Sequence, residues 1–189
     1  MTKKQSDLIL QLLSSLPDTQ RDIFEELINY IVDLGYLPQK QSVSVLTLSF
    51  KRENRVIAKV AVKRGGQLGA FQLKFFACKN PPQKFIDALF DEIQSHNEQY
   101  CSPISLDRSE ELKNKCDGCG TACTSSNIGY YWKFTDGREI FRCGSYPILI
   151  PDIEANDVPI IKKLITEQDT YFLSLSAALL PNETGWKRT

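Results

Sequence analysis

The chain has few of the residues that common catalytic sites need. His96 is the only histidine among 189 residues, so a Ser-His-Asp relay has one possible base, and no Gly-x-Ser-x-Gly elbow is present to hold a nucleophile. A Walker loop and a Gly-x-Gly-x-x-Gly turn are also missing, which removes the usual signatures of nucleotide-binding enzymes. These absences favour a non-enzymatic protein, and we interpret His96 as a solvated surface residue.

Net charge and long apolar runs are lacking as well. The 23 basic residues balance the 23 acidic ones, so no overall field draws the chain to nucleic acid or to a membrane. No apolar run approaches the roughly 20 residues that span a bilayer. The stretch from Leu8 to Leu16 is too short for a signal peptide and is interrupted by Gln11. We therefore expect a cytoplasmic protein with no membrane partner, in which thiols stay reduced.

Hydrophobic periodicity predicts both helices and strands in a chain of ordinary globular composition. Short connections between the strands predict antiparallel pairing. Thr19 and Asp22 are spaced as a capping box at the start of the second helix, and Gly35 fits its left-handed end. The predicted class is α+β, with a mainly antiparallel sheet and helices packed on one side. The predicted helices cover 6–16, 19–34, 82–95 and a segment after 156, and the predicted strands cover 43–50, 56–62, 70–77, 129–134, 139–143 and 146–150.

The elements fall into two halves. Residues 1–96 form a helix-strands-helix half, and 97–115 form a polar linker with a short helix. Residues 116–180 carry a cysteine loop, a hairpin and the C-terminal helix, which can pack with the first half as one domain, and 181–189 form a loose tail. Strands followed by a helix occur twice, so 70–93 and 140–165 form either a divergent repeat or two ordinary hairpin-and-helix units.

Four of the six cysteines have the spacing of a metal site. Cys116 and Cys119 form a Cys-x-x-Cys-Gly turn, Cys123 follows closely, and Cys143-Gly144 resembles half of a second turn at the end of the predicted hairpin. Four thiolates satisfy the tetrahedral coordination of structural Zn²⁺, with Zn–S distances of about 2.3 Å. We predict one zinc ion with a closed coordination sphere, whose negative charge is offset by Lys113, Lys115 and Arg142.

Other interpretations of the cysteines stay open. The same four residues match the ligand count of an iron–sulfur cluster. Cys116 and Cys119 alone match a redox disulfide, although the strand-to-helix context typical of thioredoxins is missing. Unliganded thiols are the remaining possibility. Cys78 is predicted to be a buried small hydrophobe, and Cys101 in the polar linker has no assigned role.

Basic residues cluster along 51–64, around the second predicted strand, and Lys74 on the third predicted strand can join them. Their simplest interpretation is the solvated outer face of an antiparallel sheet, and the alternative is a surface for anions, nucleotides or nucleic acid. Tyr130 and the aromatic residues after it are predicted to fill a small core beside the metal loop. The basic cluster consists of Lys51, Arg52, Arg55, Lys59, Lys63, Arg64 and Lys74.

Part of the chain resembles a known kind of protein family. Residues 19–95 are predicted to form a helix, a three-stranded antiparallel segment and a further helix. The segment ends in Phe71-Gln72-Leu73-Lys74-Phe75-Phe76. This arrangement is similar to small bacterial α+β families of the YdhG and YjbR kind. The resemblance implies a fold and supplies no catalytic residues. The predicted function is a zinc-containing module that binds a small ligand or a protein partner. The alternatives are an iron–sulfur or thiol redox protein, and a nucleic-acid-binding module that uses the basic strands.

Overall fold

The computed structural model describes residues 1–62, 69–95, 129–133, 139–144 and 147–178. Within these ranges the helices are α1 (Lys3–Ser14), α2 (Asp18–Asp33), α3 (Gln83–Ser95) and α4 (Val158–Ala178), the last preceded by a 3-10 turn (Ala155–Asp157). The strands are β1 (Leu37–Lys40), β2 (Thr47–Arg52), β3 (Arg55–Val62), β4 (Gly69–Leu73), β5 (Gly129–Lys133), β6 (Glu139–Cys143) and β7 (Ile148–Ile150).

The described strands form one five-stranded sheet and one separate hairpin. The order in the sheet is β1-β2-β3-β4-β7, and every neighbouring pair is antiparallel. β5 pairs only with β6. β7 lies beyond the cysteine segment in sequence, yet it pairs with β4 through Phe71↔Ile150 and Leu73↔Ile148. The α+β class and the antiparallel sheet are thus confirmed, and the second half of the chain completes the sheet of the first.

One face of this sheet carries the core, and we call it the inner face. Strand register aligns its apolar side chains in rows across the sheet. The helices pack against these rows: the Phe24 ring of α2 meets the Phe71 ring edge-on, with centroids 5.8 Å apart, and α3 and α4 contact β7 and β3. The buried inner-face residues are Leu48, Phe50, Ala58, Val60, Val62, Phe71, Leu73, Ile148 and Ile150.

Gly69 shows how closely the helices approach the sheet. A Cβ atom at this position would lie 2.8 Å from side-chain atoms of both Leu16 and Phe24, which is closer than such contacts allow. The backbone amide of Gly69 also donates to Oε1 of Gln20 at 2.8 Å. Glycine at the start of β4 therefore permits the close packing of α2 on the sheet.

The opposite face, which we call the outer face, carries most of the polar side chains of the sheet. Its central row runs Gln39, Ser49, Lys59, Gln72 and Leu149 across all five strands. These side chains range from exposed at Gln39 to buried at Ser49. The alternation of apolar inner and polar outer residues is typical of a sheet covered by helices on one side.

Two predicted helix starts are wrong. α1 begins at Lys3 rather than Ser6, because Thr2 and Gln5 form a capping box in which the Gln5 side chain accepts from the Thr2 amide at 2.8 Å. α2 begins at Asp18 after Pro17, without a side-chain cap, so Thr19 and Asp22 lie inside the helix. Pro17 stands at the N-cap position with a φ of −57°, which its ring fixes.

The end of α2 matches its prediction. Gly35 has a φ of +87°, its amide donates to Val32 O at 2.8 Å, and the Tyr36 amide donates to Ile31 O at 3.2 Å. These two bonds satisfy carbonyls that the helix end leaves open. The chain then enters β1, a strand missed in the sequence because Pro38 is unusual within a strand and is tolerated here at a sheet edge.

The core assignment yields a stability prediction. Leu27 on α2 is fully buried, so Leu27→Ala should lower the free energy of unfolding by roughly 2–5 kcal/mol, the usual cost of a large-to-small core change. Leu10→Ala on α1 is the matched control, because 63% of the Leu10 surface is exposed. Urea unfolding of both variants measures the effect, and equal small losses would place α2 outside the core.

Candidate functional site

A buried polar cluster lies where α4 meets the sheet. Asp169 interrupts the apolar stripe of α4 and is only 6% exposed. Its Oδ1 accepts the hydroxyl of Tyr36 at 2.8 Å and also accepts a hydrogen bond from the Arg52 guanidinium. Tyr36 is itself fully buried. The cluster therefore joins the end of α2, the end of β2 and the middle of α4.

Two local backbone features deliver the partners of Asp169. The left-handed Gly35 reverses the chain and turns Tyr36 back towards the core. Glu53 and Asn54 have φ values of 49° and 62°, as in the two-residue turns that match the twist of a hairpin. This turn sets Arg52 opposite Arg55 at the end of β2–β3.

Both arginines of this hairpin end reach the helix layer. Arg52 donates from Nη1 to Leu34 O at 2.6 Å, and its guanidinium lies 4.6 Å from the centre of the Tyr36 ring. Arg55 donates from Nη1 to the Phe172 carbonyl and lies 5.7 Å from the centre of that ring. The prediction of a solvated basic face is therefore wrong for these two residues, because inward hydrogen bonds and ring contacts hold them against α2 and α4.

The other residues of the predicted basic cluster do not share one location. Lys51 and Lys59 are partly exposed and lie on the outer face. Lys74, directly after β4, is buried and its amide donates to Ile57 O at 2.9 Å. Lys63 and Arg64 lie outside the described residues.

The environment of the cluster keeps Tyr36 protonated. Burial is the main cause that raises the pKa of Tyr36 well above its usual value, and the hydrogen bond and charge of Asp169 raise it further. Arg52 and Arg55 act in the opposite direction with smaller effect. Tyr36 therefore acts as a fixed hydrogen-bond donor, and the carboxylate, guanidinium and hydroxyl are committed to one another.

A second polar group lies beside this cluster on α4. Gln168 is fully buried, and its Oε1 accepts the amide of Ala77 at 3.1 Å. Within the described part of the chain its Nε2 has no hydrogen-bond partner. Neither Gln168 nor Asp169 was identified from the sequence. The available signal was a polar gap in the stripe between Ile165 and Phe172.

Cys78 differs from the buried hydrophobe that the sequence predicts. It is only partly buried and lies in a turn in which its amide donates to Phe75 O at 3.0 Å. Desolvation, followed by a hydrogen bond to Glu167, raises the pKa of the Cys78 thiol to about 11. Since the thiolate is the reactive form of cysteine, this thiol is poorly suited to redox or nucleophilic chemistry at neutral pH.

Tyr130 anchors the β5–β6 hairpin to the main sheet. Its hydroxyl accepts the Phe75 amide at 3.2 Å and donates to Leu73 O at 3.3 Å. Its ring is 5.0 Å from the Phe75 ring and 5.8 Å from the Phe76 ring, centre to centre, and both contacts are edge-on. Tyr130 is thus a buried residue, as predicted, but it belongs to the main hydrophobic core; a separate small core beside the metal loop stays a prediction.

The predicted metal ligands fall mostly outside the described structure. Cys143 is the last residue of β6 and pairs with Gly129, the first residue of β5. Cys116, Cys119 and Cys123 lie outside the described residues, as do Cys101, His96, the predicted linker at 97–115 and the tail at 181–189. In the part of the chain that the structure describes, no group of three or more His, Cys, Asp or Glu side chains could hold a metal ion. The four-cysteine site stays a prediction.

Comparisons of the chain with known protein families, curated proteins and solved structures find no match. The resemblance to the YdhG and YjbR kind therefore also stays a prediction. Among the described helices, none is long and apolar enough to cross a membrane.

The buried ion pair of Asp169 should contribute more to stability than the exposed ion pair of Lys162 on the same helix. Asp169→Ala should lower the free energy of unfolding by about 3–5 kcal/mol, because Arg52 and the Tyr36 hydroxyl lose their buried acceptor. Glu26→Ala is the control, since it removes the partner of Lys162 at 2.7 Å from a surface where Glu26 is 56% exposed, and should cost under about 1 kcal/mol. Urea titrations measure both, and equal costs would show that the Asp169 cluster is not structural.

The raised pKa of Tyr36 predicts that the free energy of unfolding falls at alkaline pH. Its folded pKa lies above its unfolded value near 10, so the unfolded chain releases this proton first. The contribution is fully present below about pH 10 and declines by up to about 1.4 kcal/mol for each pH unit above it. The stability gap between wild type and Tyr36→Phe, measured by urea unfolding, should thus be smaller at pH 11 than at pH 8. An unchanged gap would contradict the assigned burial.

Proposed function

We propose that the protein is a non-enzymatic binding module in which one structural Zn²⁺, held by Cys116, Cys119, Cys123 and Cys143, braces the β5–β6 hairpin. The observation that carries this proposal is the pairing of Cys143 with Gly129. This pairing places the end of β6 beside the start of β5. The chain reaches the start of β5 at Gly129, six residues after Cys123. Six residues span at most about 20 Å, so Cys123 lies within that reach of the Gly129–Cys143 pair, and Cys119 and Cys116 precede Cys123 by four and seven residues.

The hairpin is also a suitable support for such an ion. Tyr130, one residue from the Gly129–Cys143 pair, donates a hydrogen bond to Leu73 O at the end of β4 and accepts one from the Phe75 amide two residues later. A metal at this end would link the cysteine segment to a rigid element and supply the cross-links that a short polar segment cannot obtain from an apolar core. The ion would have a structural role, because four thiolates leave no open coordination position.

The described polar groups support binding rather than catalysis. Asp169, Arg52 and Tyr36 bond to one another in the interior, and the Cys78 thiol is held in its neutral form by its raised pKa. General acid–base and nucleophilic chemistry need groups that can reach a substrate and change protonation near neutral pH. A small ligand or a protein is the expected partner.

Metal analysis of one cysteine variant tests the proposal. Wild-type protein purified under reducing conditions should contain about one zinc per chain, and Cys143→Ser should contain almost none, because three thiolates bind far more weakly than four. Cys78→Ser is the matched control and should keep its zinc, since that thiol lies beside Glu167.

The alternatives give different results in the same experiment. Broad visible absorption with bound iron would indicate an iron–sulfur cluster. The zinc proposal would be overturned if wild-type protein contained no metal and its 116–128 segment still resisted proteolysis. A disulfide or free thiols would then remain as explanations.

A further inference from the structure

The main sheet has two free edges, formed among the described strands by β1 and β7. In an antiparallel pair, alternate residues direct their N–H and C=O groups towards the partner strand, and the residues between them direct theirs away. Outward groups at a sheet edge are a template for an added strand, either from a partner protein or from a second copy of the chain. The hydrogen bonds inside the sheet identify the outward residues on each edge.

Hydrogen bonding between β3 and β4 fixes which residues of β4 face β7. The Lys74 amide donates to Ile57 O at 2.9 Å, so Lys74 faces β3. Because the direction alternates along a strand, Leu73 and Phe71 direct their backbone groups to the other side, where β7 lies. Their partners in β7 must face back towards β4.

β7 consequently has its outward groups at Leu149. Ile148 and Ile150 pair with Leu73 and Phe71 of β4, so the residue between them directs its N–H and C=O groups away from the sheet. The same alternation, continued by one residue at each end, gives Pro147 and Pro151 the outward direction. Since proline has no N–H group, this edge carries one donor between two residues that cannot donate.

Side chains bind the outward amides of β4 that β7 is too short to reach. At one end the Gly69 amide donates to Oε1 of Gln20 at 2.8 Å. At the other end the Phe75 amide donates to the Tyr130 hydroxyl at 3.2 Å. The edge is thus occupied on both sides of β7, and the Leu149 amide is left without an acceptor among the described residues.

The opposite edge shows the same feature. The Gln41 amide donates to Thr47 O at 2.9 Å, so Gln41 faces β2. By alternation Gln39 also faces β2, whereas Pro38 and Lys40 face outward. Pro38 again removes a donor, which leaves the Lys40 amide as the outward donor of β1. Proline and lysine are residues with which edge strands are commonly protected from association.

We propose that Pro38, Pro147 and Pro151 close both edges of the main sheet to strand addition, by a partner peptide or by a second copy of the chain. An added strand is held by N–H and C=O groups that recur at every second residue, and on each edge proline interrupts this series beside the remaining donor. A protein partner of the proposed binding module must therefore contact side chains and not the edge backbone. The inference is independent of the proposed zinc.

Restoring one donor on β7 tests the proposal. Pro151→Val, at an exposed position, adds an N–H group two residues from that of Leu149 on the same edge. In an antiparallel pair of β7 strands centred on Leu149, each new amide donates to the Pro147 carbonyl of the other copy. These two added hydrogen bonds should lower the dissociation constant of the pair by roughly tenfold or more, measured by sedimentation equilibrium. Hydrogen exchange of the Leu149 amide should be fast in wild type and should slow with concentration in Pro151→Val.

Pro159→Val is the matched control, because it replaces an exposed proline of α4, and it should sediment as wild type does. Adding Leu149→Lys to Pro151→Val should abolish the association, since the pair would place the two new charges directly opposite each other. Pro38→Val applies the same test to β1, through the Lys40 amide, should Pro151→Val lose its native circular dichroism.

Three results would overturn the closed edges. The first is a natively folded Pro151→Val or Pro38→Val protein that sediments as wild type does. The second is equal association in Pro159→Val. The third is a wild-type protein whose Leu149 amide is already protected in proportion to concentration, because the β7 edge would then accept a strand despite its prolines.

Discussion

The carboxylate of Asp169 is the constraint on which the arrangement of α4 depends. A buried carboxylate is tolerated only when charged and hydrogen-bonding partners replace its water, and both partners here come from distant elements. Tyr36 is delivered by the left-handed end of α2, and Arg52 by a two-residue turn. A rotation of α4 by one residue would leave the carboxylate without partners, so this contact selects one orientation of the helix on the sheet, whereas the surrounding apolar contacts are less directional.

The second half of the chain is integrated into the first through backbone pairing and one tyrosine. β7 forms the edge of the five-stranded sheet beside β4, and α4 then crosses the inner face to reach β3. The hairpin β5–β6 remains a separate sheet, attached where β4 ends by the hydroxyl and ring of Tyr130. The proposed zinc would therefore brace an attachment and would not create the main core.

Basic residues that are close in sequence lie on opposite faces of the sheet and make different contacts. Arg52 and Arg55 flank one turn and point to the helix layer, whereas Lys51 and Lys59 lie on the outer face. An irregularity in pairing between Phe50 and Lys51 shifts the register next to the turn. The planar arginines are consequently used in contacts with the helix layer, whereas the two lysines keep their compact charges on the partly exposed face.

The sequence by itself determined the α+β class, the helix stripes, the end of α2 at Gly35 and the hairpin of β5 and β6, because these depend on local periodicity and turn chemistry. It also placed Tyr130 in a core. Only the tertiary structure decided that β7 pairs with β4, that β1 forms an edge strand, and that Gln168, Asp169, Arg52 and Arg55 face inward. These outcomes depend on which distant groups meet, since a polar residue enters an interior only when another part of the chain supplies its hydrogen-bond or charge partner.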